Sequence, residues 1–275
     1  MESLQPQPPV SHPMLDVAIA ATCRGDEVLR SRFQTAVRID SKGTANFVTQ
    51  ADLESESAIV ETIRRAFPAH AIISEESHSD RADSSDLWII DPLDGTSNFM
   101  HGIPHFAISI AYYKYGQAEL GIVCNPVSRD WYITVRNQGA WHNGKAQKVS
   151  SETSLDQTMI VCGFYYDRDR MMQATLDTLG DFFRRNIHGM RRFGAAALDL
   201  CHVGCGNYGL FFEYKLHPWD FAAGQLFVTE AGGRVSDCNG EHLPLHRASS
   251  ICATNASLHG EALEVIAPHW SKLAR

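Results

Sequence analysis

The sequence predicts an α+β fold in which layers of helices cover β-sheets. Short runs rich in β-branched and aromatic residues, such as LWIIDP at 87–92 and YGLFFEYKL at 208–216, follow one another along the chain and predict strands. Segments with apolar residues at helical spacing are grouped beside these runs. With 275 residues, of which 44% are hydrophobic and 20% charged, the chain can enclose a large core.

The first half is predicted to contain two helices and then a series of strands. Apolar residues recur at helical spacing over 13–33 and again from Ala51 to Ala66, where Phe67 and Pro68 end the second helix. The expected strands are HAIISEE, LWIIDP with its proline ending the strand, the paired FAISIAYYK and AELGIVCNP, and a hairpin within DWYITVRNQGAWHN.

The second half is predicted to mix strands with longer helices. The strands are MIVCGF and YGLFFEYKL, and helices are expected over 170–184, 194–204 and about 220–231. We divide the chain into three parts: a flexible Pro- and Gln-rich tail at 1–12, an N-terminal α+β lobe at 13–150 and a C-terminal α/β lobe at 151–275. The two lobes are expected to form one catalytic unit.

Composition excludes several classes of protein. The net charge of −8 argues against a nucleic-acid binder with a broad basic face. No apolar stretch reaches the length of a membrane span, and MESLQPQPPVSHP lacks the features of a secretory signal. The seven cysteines include no CxxC pair, which indicates a reduced, cytoplasmic protein without a disulfide framework.

Acidic residues recur where predicted strands end and helices begin. Glu75 and Glu76 follow AIIS, Asp91 and Asp94 follow LWII, and Asp220 stands at a helix start. Such carboxylates repel one another unless a cation lies between them, and an all-oxygen ligand set favours Mg²⁺. A turn across Pro-Leu can bring Asp91 and Asp94 to one side and leave the Leu93 carbonyl as a further ligand.

Gly95-Thr96-Ser97 follows this acidic turn at once. Glycine lets the backbone approach a ligand closely, and N–H groups at a helix start bind anions. Metal ions beside an anion site indicate phosphate chemistry. Each motif alone also has a structural explanation, since Asp-Pro and Asp-Gly form ordinary turns and the Asp of a Trp-Asp pair can cap a helix. Their joint occurrence is what favours a catalytic site.

These motifs together resemble the inositol monophosphatase family of Mg²⁺-dependent, lithium-sensitive phosphatases. DPLDGTSNF with an upstream Glu-Glu, and HPWDFAAGQLFVTEAGG downstream, carry the resemblance, which runs from about Met14 to the last helix. The bacterial type is most similar through KGTANFVTQAD, RRFGAAALDL and GLFFEYKLHPWDFAAG. The resemblance implies a layered α/β/α/β/α sandwich, shared with fructose-1,6-bisphosphatase, and a homodimer.

The resemblance also implies the roles of individual residues. Metal ligands would be Glu75, Asp91, the Leu93 carbonyl, Asp94 and Asp220, holding about two or three Mg²⁺ ions. Glu75 and Thr96, supported by Asp52, would orient and help to deprotonate the attacking water. The substrate would contact the residues Lys42, Leu93, Asp94, Gly95, Thr96, Arg191, Gly194, Ala195, Ala196, Glu213 and Asp220.

The expected substrate is myo-inositol monophosphate or a similar polyol phosphate. Fructose-1,6-bisphosphatase, histidinol phosphatase and 3′-phosphoadenosine 5′-phosphate phosphatase are alternatives, but a bisphosphate or nucleotide would need an added basic or aromatic subsite. Glu213 favours a polyol. An alternative of another class is a regulatory factor associated with RNA polymerase, because some bacterial relatives have that role. The acidic net charge argues against direct RNA binding.

Overall fold

Two large β-sheets form the framework of the described chain. The computed structural model describes residues 10–35, 38–43 and 46–273, without the side chains of residues 41, 42, 46 and 47. Most of the predicted tail therefore lies outside the described residues. In chain order the first half contains α1 (Leu15–Arg32), β1 (Ile39–Gly43), β2 (Asn46–Thr49), α2 (Gln50–Ala66), β3 (Ala71–Ser74), β4 (Asp86–Asp94), α3 (Thr96–Met100), β5 (Ala107–Lys114), β6 (Gln117–Asn125), β7 (Asp130–Val135), β8 (Ala140–His142) and β9 (Lys145–Gln147).

The second half supplies the other sheet and its helices. A 3₁₀ turn spans Leu155–Gln157. The remaining elements are β10 (Met159–Cys162), α4 (Arg170–Arg184), β11 (Gly189–Arg191), α5 (Ala196–Gly204), β12 (Leu210–Leu216), α6 (Pro218–Glu230), β13 (Arg234–Ser236), β14 (Ser249–Thr254) and α7 (His259–Leu273). None of the helices in the described ranges is both long and apolar enough to cross a bilayer.

The two sheets differ in strand direction. The first has the order β3-β4-β5-β6-β7-β8-β9 and is antiparallel except for the parallel pair β3–β4. The second has the order β11-β10-β12-β14-β13, in which β11, β10 and β12 are parallel and the last two pairs are antiparallel. Parallel sheets are normally covered on both faces, and both sheets here are.

Four hydrophobic cores join five layers. Helices α1 and α2 pack on one face of the first sheet around residues such as Trp88, and α5 and α6 pack on its other face around Phe227. The same two helices pack on the second sheet around Phe211, and α4 and α7 cover its far face around Phe212. This α/β/α/β/α order confirms the predicted fold.

One predicted strand end is wrong. LWIIDP was expected to stop at Pro92, but β4 continues to Asp94. The pairing with β5 is regular as far as Asp91 opposite Ser109, and its register shifts before Asp94 pairs with Ala107. A β-bulge tolerates a proline because the local ladder is already interrupted. The strand therefore runs on while its side chains are turned in new directions.

Helix α6 approaches the first sheet so closely that β6 must carry a glycine. A Cβ on Gly121 would lie 2.9 Å from the carbonyl oxygen and 3.1 Å from the Cα of Ala223. Both atoms belong to the α6 backbone, so a side-chain rearrangement cannot relieve the clash. This contact fixes the depth at which α6 lies between the sheets, and with it the position of the helix start at Pro218.

We predict that Gly121→Ala lowers the free energy of unfolding by about 1–3 kcal/mol, because the added methyl pushes α6 away from β6. Urea unfolding monitored by tryptophan fluorescence measures the effect. Gly180→Ala is the matched control: it lies in α4, where the nearest atom to the added Cβ is 3.8 Å away. The free energy of unfolding of that control should rise by about 0.5–1 kcal/mol, because alanine favours a helix more than glycine does. Equal stability of Gly121→Ala and the native protein would contradict the packing argument.

Candidate active site

The bulge at the end of β4 presents two aspartates to the space between the sheets. Asp91 is 1% exposed, and its Oδ1 accepts a hydrogen bond from the backbone N–H of Leu93 at 3.0 Å. This bond closes a tight turn across Pro92, as asparagine and aspartate commonly do. The turn lets Asp91 and Asp94 line one cavity, as predicted, although the strand does not end there.

Helix α5 holds the second aspartate through its backbone. Oδ2 of Asp94 accepts a hydrogen bond from the N–H of Ala197 at 2.7 Å, in the first turn of the helix. Gly95 follows with φ of +90°, and a Cβ there would lie 3.2 Å from the carbonyl oxygen of Gly194. Only glycine suits this left-handed, crowded position. The carboxylate is thus fixed by a helix N-terminus, where negative charge is stabilised.

Asp220 and Glu75 reach the same space from other elements. Asp220 is the third residue of α6, and its Oδ2 accepts a hydrogen bond from the N–H of His217 at 2.7 Å. Glu75 directly follows β3, and its N–H donates to the carbonyl of Ile90 on the neighbouring strand at 3.3 Å. Glu75, the first acid of the Glu-Glu pair, is among the residues that line the cavity.

A cavity of about 260 Å³ lies where these elements meet. Its walls come from both sheets and from the helices between them. Most of the residues predicted from the sequence line it, namely Glu75, Asp91, Leu93, Asp94, Gly95, Thr96, Gly194, Ala195, Ala196, Glu213 and Asp220. These are 11 of the 22 described residues that line the cavity, and they lie far apart along the chain.

Burial and mutual repulsion raise the pKa values of the carboxyl groups in this cavity. Burial raises the pKa of Asp94 to about 7 and that of Glu213 to about 8. Burial, and then the charges of the neighbouring acids, raise the pKa values of Asp91 and Asp220 well above their usual range. A cation bound among these groups would reverse the effect and favour their ionised forms.

The chemistry of this donor set fits a hard divalent cation. Carboxylates and a backbone carbonyl are the oxygen ligands that Mg²⁺ prefers, and the buried acids carry repulsion that a cation removes. Within the described ranges, no three His, Cys, Asp or Glu side chains have the arrangement of a formed metal site. The residues that would hold the ion are Glu75, Asp91, the Leu93 carbonyl, Asp94 and Asp220.

Thr96 is tied to a buried aspartate on α2. Its hydroxyl donates either to Oδ1 of Asp52 at 3.0 Å or to the carbonyl of Leu93 at 3.1 Å. Asp52 is completely buried, and its Oδ2 accepts from the N–H of Thr49 at 2.8 Å and from the Thr49 hydroxyl at 2.6 Å. The pairing of Thr96 with Asp52 expected from the resemblance is therefore present. Asp52 lies behind Thr96 rather than in the cavity wall.

Two residues that were predicted to contact the substrate are not among the described residues that line the cavity. Arg191 does not belong to the described residues that line the cavity, and its guanidinium donates to the carbonyl of Met190 at 3.0 Å. The adjacent Arg192 lines the cavity instead. Its positive charge lowers the raised pKa values of Asp94 and Glu213. The side chain of Lys42 lies outside the described part of the chain.

Sequence reasoning missed several side chains of the cavity wall. Asp199, on α5, is 1% exposed, burial raises its pKa well above the usual range, and in the described part of the chain its Oδ1 has no hydrogen-bond partner. Lys215 places its ammonium 4.5 Å from the ring centre of Tyr165, and both line the cavity. The one signal for Asp199 was an acid within the Ala-rich stretch AAALDL.

Comparison with known proteins shows the family to which the chain belongs. The model of the inositol monophosphatase family matches residues 11–272. The chain belongs to this family. It is 41% identical to the Nus factor SuhB of Escherichia coli K12 over 234 residues, which are 84% of this chain and 87% of that relative.

Solved structures of the family share the fold. The IMPase of Thermotoga maritima is 31% identical, with a TM-score of 0.86 that covers 95% of this chain and 100% of the other. SaIMPase-II of Staphylococcus aureus, in a structure with inositol monophosphate bound, is 26% identical, with a TM-score of 0.81 over 96% and 97% of the two chains. Membership supports a phosphatase, and this family generally depends on Mg²⁺.

We predict that Asp94→Asn stabilises the metal-free protein at alkaline pH. The pKa of Asp94 is about 7 in the folded protein, against a usual value of 3.8. Between these two pH values the unfolded chain releases the proton and the folded protein keeps it, so the free energy of unfolding falls as the pH rises toward 7. Asparagine does not ionise. The variant's gain in unfolding free energy should be larger at about pH 8 than at about pH 5, by about 1–3 kcal/mol.

Urea unfolding in the presence of a chelator measures this difference. Asp16→Asn, at an exposed position in the first turn of α1, is the control and should show no such pH dependence. A gain for Asp94→Asn that is the same at both pH values would mean that ionisation of Asp94 carries no cost in the folded state.

Proposed function

We propose that the protein is a Mg²⁺-dependent phosphomonoesterase that hydrolyses myo-inositol monophosphate or a similar polyol phosphate to the free alcohol and phosphate. The observation that carries this proposal is that one cavity is lined by the four acids proposed as ligands and by Thr96, behind which Asp52 lies. The acids suit Mg²⁺, and the hydroxyl beside them suits a water nucleophile. Family membership supports the reaction class.

The acids and the Leu93 carbonyl would hold the ions, for which we propose about two or three per site. When bound, Mg²⁺ neutralises phosphate charge and lowers the pKa of water. The protein supplies fixed positions for these ligands, because Asp94 and Asp220 are each hydrogen-bonded to backbone N–H groups at helix starts. Fixed ligands need little rearrangement during the reaction, which is how preorganised sites accelerate it.

Thr96 would orient the attacking water. Its single hydroxyl proton is directed to Asp52 or to the Leu93 carbonyl, so its oxygen remains an acceptor toward the cavity. A water that donates to this oxygen points its lone pair away from Thr96 and toward the phosphate. The carboxylate of Glu75, in the same cavity, would accept the other proton of that water as its oxygen bonds to phosphorus. The ester P–O bond would break at the same time, and the leaving alcohol oxygen would take a proton from water.

Glu213 would select the alcohol part of the substrate. It lies in the cavity wall on β12 and is 7% exposed, and burial raises its pKa to about 8. A carboxyl that is neutral near pH 7 both donates to and accepts from hydroxyl groups. The structure of the relative SaIMPase-II has inositol monophosphate bound, which supports a polyol phosphate as the substrate here.

The structure weakens one argument for inositol monophosphate. A second phosphate or a nucleotide base was expected to need basic or aromatic side chains, and Arg192, Lys215 and Tyr165 supply them in this cavity. Fructose-1,6-bisphosphate, histidinol phosphate and 3′-phosphoadenosine 5′-phosphate therefore belong in any test of the substrate. The proposal for a polyol phosphate rests on Glu213 and on the relatives.

We predict phosphate release from inositol monophosphate that a chelator abolishes, that Mg²⁺ restores and that lithium inhibits.

Asp94→Asn should lower kcat by at least about a hundredfold, because it removes charge from the proposed ion site without removing backbone contacts. A phosphate-release assay over inositol, glycerol, histidinol and nucleotide phosphates and fructose bisphosphate measures both effects. Asp16→Asn should keep native activity.

Three results would distinguish the outcomes of that assay. Native activity of Asp94→Asn at saturating Mg²⁺ would overturn the proposed site. Preference for a bisphosphate or nucleotide would keep the phosphatase but change the substrate. Mg²⁺-dependent turnover that lithium does not affect would contradict lithium sensitivity alone.

A second candidate function rests on the names of relatives. The E. coli relative is a Nus factor, so we also propose that this protein associates with transcription machinery. We predict that the tagged protein retains RNA polymerase from a lysate of its own source and that Asp94→Asn retains it equally, because that substitution lies in a buried cavity. Loss of polymerase at physiological salt, while a known Nus factor retains it, would contradict this role.

A further inference from the structure

Helix α2 carries three buried polar side chains that form hydrogen bonds with the chain segments next to the cavity. Asp52 and Ser55 are completely buried, and Glu56 is 2% exposed. Polar groups are rarely buried in a helix without hydrogen-bond partners, so each of the three calls for an explanation. Only Asp52 was identified from the sequence.

Each of the three side chains reaches a different segment of the site. Asp52 accepts from Thr96, as described above. The hydroxyl of Ser55 donates to the carbonyl of Pro92 at 3.0 Å, in the middle of the turn that separates Asp91 from Asp94. One face of one helix therefore contacts the segment 92–96 at two points.

Glu56 contacts the segment that follows β3. Its Oε2 accepts a hydrogen bond from the backbone N–H of Glu76 at 2.9 Å. Its Oε1 accepts from the Ser77 hydroxyl and lies 3.1 Å from Nδ1 of His78. These contacts engage three consecutive residues immediately after Glu75. The carboxylate thus spans the turn that leads away from this cavity residue.

We propose that Glu56 is a positioning residue, which holds the turn 75–78 so that Glu75 faces Asp91 and Asp94 across the cavity. This inference rests on the proposed Mg²⁺ site. Hydrogen bonds from a backbone N–H to a carboxylate are among the stronger ones in proteins. Residues that orient ligands without touching the ion commonly affect metal affinity strongly.

The arrangement also explains why the three side chains share a helix. Residues 52 and 56 are four apart and residue 55 lies between them on the same face. The helix start is itself fixed, because Asp52 and Thr49 form a reciprocal capping pair. A rigid helix with a fixed start keeps the turn after β3 and the bulge within β4 in fixed positions relative to each other.

Replacement of Glu56 tests the proposal. Glu56→Ala should weaken Mg²⁺ binding, measured by calorimetry on the full chain, by at least about tenfold. Amide hydrogen exchange in 75–78 should accelerate by about tenfold or more, while exchange within α2 stays unchanged. At saturating Mg²⁺, KM for inositol monophosphate should change by less than about twofold, since Glu56 does not line the cavity.

Two further variants keep the test decisive. Glu56→Gln retains an acceptor and should show smaller changes in the same direction, and it replaces Glu56→Ala if that variant does not fold. Glu61→Ala, at an exposed position of the same helix, is the control and should behave like the native protein. Faster exchange with native Mg²⁺ affinity, or unchanged exchange, would overturn the positioning role.

The two proposals fail in different ways. A native protein that binds Mg²⁺ but releases no phosphate would overturn the proposed function, and the calorimetry and exchange measurements would still decide the role of Glu56. A native protein that binds no Mg²⁺ would overturn both.

Discussion

The surrounding structure must hold together buried carboxyl groups that repel one another, and the rest of the fold depends on this constraint. Asp91, Asp94, Glu75 and Asp220 share one cavity; burial raises the pKa values of the three aspartates, and neighbouring acids raise those of Asp91 and Asp220 further. An isolated turn could not hold such groups together. The three aspartates are held in place because one carboxylate oxygen of each accepts a hydrogen bond from a backbone N–H group. Polar support is thus concentrated where the charge is greatest.

The layered fold supplies the stiffness that this arrangement needs. The helices that fix Asp94 and Asp220 lie between two sheets and are packed on both sides by apolar side chains. The contact of Ala223 with Gly121 sets their depth to within a methyl group. Closely packed interiors respond to small displacements, so a site between two sheets is less free to relax than one on a surface loop.

The sequence predicted the helices and strands well. It predicted less well where β4 ends and which further residues line the cavity. Helix α4 begins and ends at the expected residues, because its amphipathic pattern is unambiguous over 170–184. Pro92 was interpreted as a strand end because proline lacks an N–H, and no pattern in the sequence signals that a bulge accommodates it. The proposed metal ligands could be named from the sequence because their motifs are local. Arg192, Asp199 and Lys215 were missed because tertiary packing alone brings them to the cavity.

The two sides of the cavity come from different parts of the framework. The groups proposed to bind phosphate lie at the ends of β3 and β4 in the first sheet, and many of those on the proposed alcohol side lie on β12 and on the segment after β10 in the second. If the protein hydrolyses a phosphate ester as proposed, substitutions on the second sheet would change which alcohol is accepted while the groups on the first sheet keep their positions. In a scaffold divided in this way, the accepted substrate can change during evolution while the reaction stays the same.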